Sequence, residues 1–374
     1  MRRTVILIFL SLVLTASLRV SGQDKTFDEA NELYAAQKYA EAEAVYRRLL
    51  GSASETSFKA KIVYNLGMTY VQLKRFEDAE TQFRTLLSMK VDNREASGNI
   101  TRPFRNYHYN AQMEIAKIQY ENGDFAGALE SFRNARTKYP FQSFCGNCIS
   151  EENHKVTLYE AATLEHLGRS KEAFELYFRI GHPRLVEIYA ANDRLEQLTE
   201  IVKKKNKPQT DEAFKAFFMA YELGKAGEAA ALLNELRELA KTRQDSYLKD
   251  WTARMLARNA QTAVPLIEAE LKNPKTYPYV FYRTLGFAAT PEAMEILKAR
   301  AEKAAGWYDA EAIAASFLLA GEAGANAVKQ LEKRPLGKNM KLALEKMKSG
   351  ELTAKNYIEL EFAPLKTADL PSEF

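Results

Sequence analysis

The two cysteines of the chain are the residues whose type and spacing could most readily do chemistry. They form the sequence Cys145-Gly-Asn-Cys148, in which two residues separate them. A c-type haem site requires a histidine directly after the second cysteine, and residue 149 is isoleucine. A thioredoxin-like centre requires the first cysteine at a helix N-terminus after a strand, in a βαβ setting, and the sequence predicts no such setting.

Three roles stay open for the cysteine pair. A zinc site could use Cys145, Cys148 and His154, but a closed site needs four ligands and the sequence offers no evident fourth. A redox role is the second possibility. In an exported protein, two neighbouring cysteines are typically oxidised to a disulfide. We therefore predict a local disulfide that closes a very small ring and restrains only its own loop.

The N-terminus has the layout of a secretory signal peptide. Arg2 and Arg3 precede an apolar run from Val5 to Ala16, which is followed by small and polar residues. The run is shorter than the stretch of about 18 residues expected of a membrane-spanning helix. We predict that residues 1–22 are removed before Gln23, that no stable membrane span remains, and that the protein is periplasmic or secreted.

The charge balance argues against nucleic acid as a partner. The full chain has 53 basic and 49 acidic side chains, and removal of residues 1–22 would leave 50 basic side chains against 49 acidic ones. Binding to phosphate backbones needs a concentrated basic face. The densest basic run, Lys203 to Lys207, stands directly before Pro208 and is typical of a solvated loop between helices.

Known catalytic motifs are missing from the sequence. It contains no GxSxG, no GxGxxG, no HExxH and no glycine-rich phosphate loop followed by Lys and Ser or Thr. The four histidines are scattered, at His108, His154, His166 and His182. We therefore predict no catalytic residue, no cofactor and no metal site.

Four segments share a helical pattern, in which an aromatic residue is followed by Ala, a second aromatic residue and a small or apolar residue at spacings of three, four and three. The pattern occupies Tyr39/Ala42/Tyr46/Leu49, Phe76/Ala79/Phe83/Leu86, Phe125/Ala128/Phe132/Ala135 and, with serine in the first place, Ser170/Ala173/Tyr177/Ile180. This spacing places the four residues on one face of a helix. A second amphipathic segment precedes each pattern, most clearly at residues 62–73.

These paired segments resemble the tetratricopeptide repeat, a helix-turn-helix unit, over about residues 26–180. The second and third copies carry the most specific residues: Leu66, Gly67, Tyr70, Ala79 and Phe83, and then Ala116, Ala128, Phe132, Ala135 and Pro140. The resemblance implies an all-α solenoid. Small residues allow the two helices of a hairpin to approach closely, and aromatic residues fill the space between hairpins.

The spacing of the copies predicts two inserted loops. The pattern begins at residues 39, 76, 125 and 170, so the copies are 37, 49 and 45 residues apart, whereas the family unit has 34. We predict loops at about residues 91–105 and 139–152, and the second of these loops contains the cysteines.

Beyond residue 180 the chain still reads as helical, but the repeat decays. One degenerate hairpin contains Ala229 and Leu233, and further helix pairs follow around Pro265, Pro291 and Gly324. We predict a signal peptide at 1–22, tetratricopeptide repeats at 23–182 and a degenerate, tetratricopeptide-like or HEAT-like helical-repeat region at 183–374.

The resemblance also implies a binding surface, because the first helix of each hairpin lines the concave face of such an array. Carrying the repeat over places ten residues on or near this face: Phe27, Asn31, Tyr34, Tyr64, Asn65, Met68, Asn110, Met113, Lys117 and Tyr120. Family members that bind an acidic C-terminus use two asparagines and three basic residues. Asn31 and Asn65 match the asparagines, but Phe27, Asn110 and Glu114 occupy the basic places, so a carboxylate clamp is not expected.

The resemblance implies a non-catalytic scaffold that binds a protein or peptide, here a segment of another protein of the cell envelope, in this groove. One alternative is that the aromatic residues pack against an inserted loop carrying Phe104, Tyr107 and Tyr109 and are simply core. Another is an envelope enzyme, or a subunit of one, with an unrecognised site in the C-terminal helical half. A purely structural component of an envelope complex is a third.

Overall fold

The protein is all-α. The computed structural model describes residues 26–92, 104–205, 208–242, 246–273, 276–348, 352, 362–364 and 370–371. Within these residues there are nineteen helices and no strand, as the sequence predicts. The predicted signal peptide and most of the predicted loop at 91–105 lie outside the described residues. The chain divides into two compact units, Met1–Gly168 and Arg169–Phe374.

The described residues of the first unit form seven helices. The first contacts the second through Phe27 and Tyr46, and each later helix packs against the next along the chain. Their bounds are α1 (26–35), α2 (Tyr39–Ser52), α3 (Thr56–Gln72), α4 (Phe76–Ser88), α5 (Tyr107–Glu121), α6 (Phe125–Thr137) and α7 (Gly146–His166). The first helices of neighbouring hairpins also touch, as α3 and α5 do. The first unit is therefore a stack of helical hairpins.

The repeated sequence pattern marks the beginning of each second helix. The helices α2, α4 and α6 begin at Tyr39, Phe76 and Phe125, the first positions of the first three patterns. The alanine of each pattern and the aromatic residue four positions later are almost fully buried. Alanine fits at these positions because a larger side chain would hold the two helices of the hairpin apart.

The turn inside each hairpin has the same geometry. A residue with left-handed backbone stands two positions before the second helix, at Gln37 (φ 60°), Lys74 (φ 56°) and Gly123 (φ 77°). The residue after it donates its backbone N–H to a carbonyl of the first helix, as Arg75 does to Tyr70 at 2.9 Å. This is the bond by which a Schellman motif ends a helix. The turn thereby fixes where the second helix begins.

The second unit continues the helical-hairpin architecture in two layers. The helices α11, α13, α15, α17 and α19 pack successively in one layer, and α12, α14, α16 and α18 pack in the other. The unit comprises α8 (Ser170–Ile180), α9 (Arg184–Ala191), α10 (Leu195–Lys205), α11 (Pro208–Ala226), α12 (Ala229–Ala240), α13 (Ser246–Ala257), α14 (Ala260–Leu271), α15 (Tyr279–Ala288), α16 (Pro291–Ala301), α17 (Trp307–Leu319), α18 (Gly321–Leu331) and α19 (Lys338–Lys348). The same left-handed turn residue recurs at Asp193 and Gly227.

Two local assignments from the sequence are corrected. Residues 146–152, predicted as part of a loop, form the first two turns of α7. Tyr107 and Tyr109, predicted to lie in an inserted loop, belong to α5 and are buried. Across the part of the chain that the structure describes, no helix has both the length and the apolar character needed to cross a membrane.

Candidate functional site

In the first unit, side chains from the first helix of several hairpins meet on one face. Tyr34 of α1, Tyr64 of α3, Lys117 of α5 and Tyr159 of α7 are all half-buried. Tyr34 and Tyr64 interact electrostatically with Glu114 of α5, and Lys117 interacts with Tyr64 and Tyr159. We call the surface formed by Tyr34, Tyr64, Met68, Asn110, Glu114, Lys117 and Tyr159 the first-helix face.

Two tyrosines of this face, Tyr34 and Tyr64, keep their hydroxyl protons over a wide pH range. Burial, followed by the neighbouring Tyr39, raises the pKa of Tyr34 to about 12, although a hydrogen bond with Gln72 opposes the shift. Burial and then Glu114 also raise the pKa of Tyr64. Both side chains can therefore supply apolar area and a hydroxyl donor to a bound segment.

Lys117 is the basic residue of the face, and it is paired. Its Nζ lies 2.7 Å from Glu114 Oε1. Burial on its own lowers the pKa of Lys117, but Glu114 and the nearby Tyr159 outweigh burial and hold the pKa above its usual range. Lys117 is therefore charged, and its charge is compensated by Glu114.

The two asparagines that match a carboxylate clamp are bonded inside the unit. Asn31 Oδ1 accepts hydrogen bonds from Tyr46 Oη at 2.7 Å and from Asn65 Nδ2 at 2.9 Å. Asn65 Nδ2 also approaches Tyr46 Oη at 3.3 Å. These bonds join α1, α2 and α3, so both amides have a structural role in the hairpin stack.

Three of the ten residues assigned to the binding surface from the sequence are core residues. Phe27, Met113 and Tyr120 are only 2%, 4% and 7% exposed. Phe27 packs on the rings of Tyr46 and Phe58, at centroid distances of 5.8 and 5.6 Å. These three side chains cannot contact a partner without leaving the core, and the proposed surface excludes them.

The other seven residues, namely Asn31, Tyr34, Tyr64, Asn65, Met68, Asn110 and Lys117, are half-buried. Two further residues belong to the first-helix face. Glu114 occupies one of the clamp positions in the sequence and lies between Asn110 and Lys117 at helical spacing on α5, whereas the sequence pattern gives no indication of Tyr159. Tyr159 was missed because the start of α7 was assigned to a loop, which hid the register of that helix.

The aromatic residues around the start of α5 have partners of their own. Phe104 packs on Phe144 at a centroid distance of 5.2 Å, and Tyr109 packs edge-on against Phe141 at 5.3 Å. The hydroxyl of Tyr109 also donates to Glu152 Oε2 at 2.7 Å. These contacts are made with the segment before α7 and with α7 itself.

The cysteines form a disulfide, as the sequence predicts. Cys145 is the N-cap of α7, and its sulfur accepts a hydrogen bond from the backbone N–H of Cys148 at 3.2 Å. Cys145 therefore stands at a helix N-terminus, but no strand precedes it within residues 104–144, so the strand–helix setting of a thioredoxin-like centre is not found there. The described residues contain no group of His, Cys, Asp and Glu that could hold a metal ion.

A cavity of about 1020 Å³ in the second unit bears on the enzyme alternative. It lies between α14 and α16 and is lined by three glutamates and three basic residues, Glu268, Glu292, Glu295, Lys272, Arg300 and Lys303. No histidine, cysteine or serine is among its lining residues. The lining therefore carries carboxylates, basic groups and the hydroxyl of Thr290, and it contains no serine–histidine or cysteine–histidine pair.

Comparison with known proteins agrees with this architecture. No curated protein matches the sequence. The family model described as tetratricopeptide repeat matches residues 27–100 and 64–143, which lie in the first unit. The match supports tetratricopeptide repeats in this part of the chain, as the helical pattern predicts.

Proposed function

We propose that the protein is a non-catalytic scaffold that binds a segment of another protein on the first-helix face. Tetratricopeptide repeats suggest protein partners. The observation that carries the proposal is the half-buried group of Tyr34, Tyr64 and Met68 beside the compensated pair of Glu114 and Lys117. Aromatic side chains that become fully desolvated dominate the energetics of such interfaces.

The chemistry of the face indicates what kind of segment it takes. Its charges cancel in the pair of Lys117 and Glu114, and the clamp-like asparagines already bond inside the unit. A free carboxylate would therefore meet no uncompensated basic residue in this group. We propose that the partner contributes an extended or helical segment with apolar anchors, few charges and main-chain groups that the tyrosine hydroxyls can bond.

We also propose that the protein works outside the cytoplasm, in the periplasm or the secretory space, and that its partner belongs to the cell envelope. Two observations support this location. The first 22 residues have the layout of a signal peptide. The disulfide between Cys145 and Cys148 suits an oxidising compartment.

Site-specific crosslinking tests the proposed surface. A photoreactive amino acid at Met68 should crosslink a partner in the native source, whereas the same amino acid at Thr81, which is exposed on α4, should not. The captured partner is then produced and its affinity is measured directly. The variant Tyr34→Ala/Met68→Ala should bind it at least about tenfold more weakly, because truncation of a central anchor costs about 2 kcal/mol or more.

The matched control is Thr81→Ala/Arg84→Ala, which removes two exposed side chains from α4 and should leave affinity unchanged. Circular dichroism of both double variants checks that helical content is retained. Equal crosslinking from Met68 and Thr81, or unchanged affinity of the Tyr34→Ala/Met68→Ala variant, would show that the partner does not use the first-helix face.

A further inference from the structure

Residues close to the C-terminus lie against α9 and α10 in the second unit. Phe362, Ala363 and Pro371 contact side chains that precede them by more than 170 positions in the chain. These contacts resemble those of a bound peptide. One side chain, the ring of Phe362, packs among side chains of the helices, and main-chain carbonyls of the segment accept hydrogen bonds.

The ring of Phe362 lies in a site that we call the aromatic seat. The guanidinium carbon of Arg184 lies 4.6 Å from the ring centroid, at the distance of a cation–π contact. The rings of His182 and Tyr177 lie at centroid distances of 6.2 and 6.4 Å. Tyr177 of α8, His182 of the turn between the helices and Arg184 of α9 thus contact one aromatic ring, and these three side chains form the aromatic seat.

The hydrogen bonds are directed to backbone carbonyls. Arg184 Nη2 donates to the carbonyl of Ala363. The carbonyl of Pro371 accepts from Tyr189 Oη at 2.9 Å and from Gln197 Nε2 at 3.2 Å. Bonds of this kind recognise an extended backbone whatever its side chains are, so the aromatic seat is the source of selectivity.

The helices beneath the segment have backbone bonding and ion pairs of their own. Arg194 closes the turn between α9 and α10 by donating its N–H to the carbonyl of Tyr189 at 2.8 Å. Glu187 lies 3.5 Å from Arg184 and 3.3 Å from Arg254, so Arg184 has an ion-pair partner outside the segment. Arg184, the donor to Ala363, is therefore held partly by its own helix.

We propose that this face of α9 and α10 is a recognition site for an extended segment with an aromatic residue, and that Phe362, Ala363 and Pro371 of the chain's own C-terminal segment occupy it as an intramolecular ligand. Its occupant is covalently attached, so its effective concentration is high and even a weak contact keeps the face filled. A competing segment must have higher affinity to gain access. The site is separate from the first-helix face and does not depend on the function proposed for that face.

Peptide binding to the full chain tests the proposal. The probe is a fluorescein-labelled peptide of residues 360–374, and binding is measured by anisotropy. Wild-type protein should bind the probe weakly, because its own segment competes. Full-length Phe362→Ala protein should bind it at least tenfold more tightly, since the variant segment has lost the side chain that fills the seat. A chain that ends at Lys355 should bind the probe at least as tightly.

Variants and control peptides localise the binding. In the Phe362→Ala background, Gln197→Ala should weaken probe binding about three- to tenfold through the loss of one hydrogen bond, whereas Glu196→Ala on the same helix should not. A scrambled peptide and a probe with Phe362→Ala should fail to bind.

Equal probe affinity of wild-type and Phe362→Ala protein would overturn the proposal. Loss of helical content in the chain that ends at Lys355 would also overturn it, because the segment would then be part of the fold.

Discussion

Cys145 contributes to the structure in two ways at the beginning of α7. Its sulfur is bonded covalently to Cys148 and also accepts the N–H of Cys148, so it acts as the helix cap. The loop before it is fixed separately, since Asn106 bonds both the carbonyl and the N–H of Gln142. The disulfide is therefore one of several restraints on this helix start.

The disulfide should be dispensable for folding. The variant Cys145→Ser/Cys148→Ala keeps a hydroxyl in the capping position, and the loss of so small a ring costs about 2 kcal/mol at most in the loop-entropy estimate. The free energy of unfolding of Cys145→Ala/Cys148→Ala should be lower by about a further 1 kcal/mol, because alanine cannot cap the N-terminus of α7. Urea unfolding followed by circular dichroism measures both values. Unfolded protein in both variants would show that the disulfide is essential.

His182 is an uncharged histidine in the core of the second unit. It packs edge-on against Tyr247 at a centroid distance of 4.8 Å and accepts the backbone N–H of Arg184 at 3.1 Å. Burial, followed by the positive charges of Arg184 and Arg254, lowers its pKa to about 3. In the unfolded chain the pKa of a histidine is about 6.5.

This difference in pKa makes stability depend on pH. Between pH 6.5 and 3 the unfolded chain binds more protons at this residue than the folded chain does, so the free energy of unfolding falls as pH falls, by up to about 1.4 kcal/mol per pH unit. Between pH 7 and pH 5, the free energy of unfolding of the His182→Gln variant should fall by about 2 kcal/mol less than that of wild type. Urea unfolding at the two pH values measures the losses, and equal losses would show that folding does not lower the pKa of His182.

At the scale of elements, Gly67 sets the distance between α3 and α4. A Cβ atom on Gly67 would lie 2.6 Å from Cε1 of Phe83, a ring that is fully buried. Gly51, near the end of α2, provides a matched control because nothing lies within 4 Å of a Cβ placed there. The two glycines therefore separate the effect of packing from the effect of helix propensity.

Gly67→Ala should destabilise the protein, whereas Gly51→Ala should not. The overpacked contact costs about 1–3 kcal/mol, which exceeds the gain in helix propensity of up to about 1 kcal/mol. At Gly51 only the gain applies. Thermal unfolding of the two variants should therefore shift in opposite directions, and an increase in Tm for both would show that Phe83 moves aside easily.

The sequence was sufficient for elements whose signal is local. The starts of α2, α4 and α6 follow from a pattern whose members lie within eleven residues of one another, because one helix face is buried in each hairpin. The start of α7 was not predictable in this way, since it begins with residues that are polar or small. The placement of Phe362 depends on Arg184, and no short-range periodicity connects positions so far apart.

The candidate site was predicted in part for the same reason. Position within the repeat places Tyr34, Tyr64 and Lys117 on the first helices of their hairpins, where the structure has them, but it does not reveal which side chains are covered by the next hairpin. Phe27 and Tyr120 are covered in this way. The pairing of Lys117 with Glu114 is local, whereas the contribution of Tyr159 depends on the register of a helix in another hairpin.

For the molecule as a whole, the proposed export predicts a measurable property of the N-terminus. We expect the protein from its native source to begin at Gln23, with nearly balanced charge, because peptidases cleave after small residues such as Gly22 and Ser21. Intact-mass measurement and N-terminal sequencing test this. A chain that retains residues 1–22 would contradict both the processing and the location proposed here.

The repeated left-handed turn gives the chain a defined place for changes in length. Within each hairpin, the residue after Gln37, Lys74 or Gly123 is bonded back to the first helix, so an added residue there would break the bond that ends that helix. Between hairpins the distance from copy to copy already varies from 37 to 49 residues. A reporter domain or protease site inserted directly after Asp92 should therefore leave the helices folded, whereas the same insertion between Lys74 and Arg75 should disrupt them. The turns inside the hairpins are thus fixed in length, whereas the connections between hairpins can vary. Such arrays could therefore acquire new segments without changes to their hydrophobic cores.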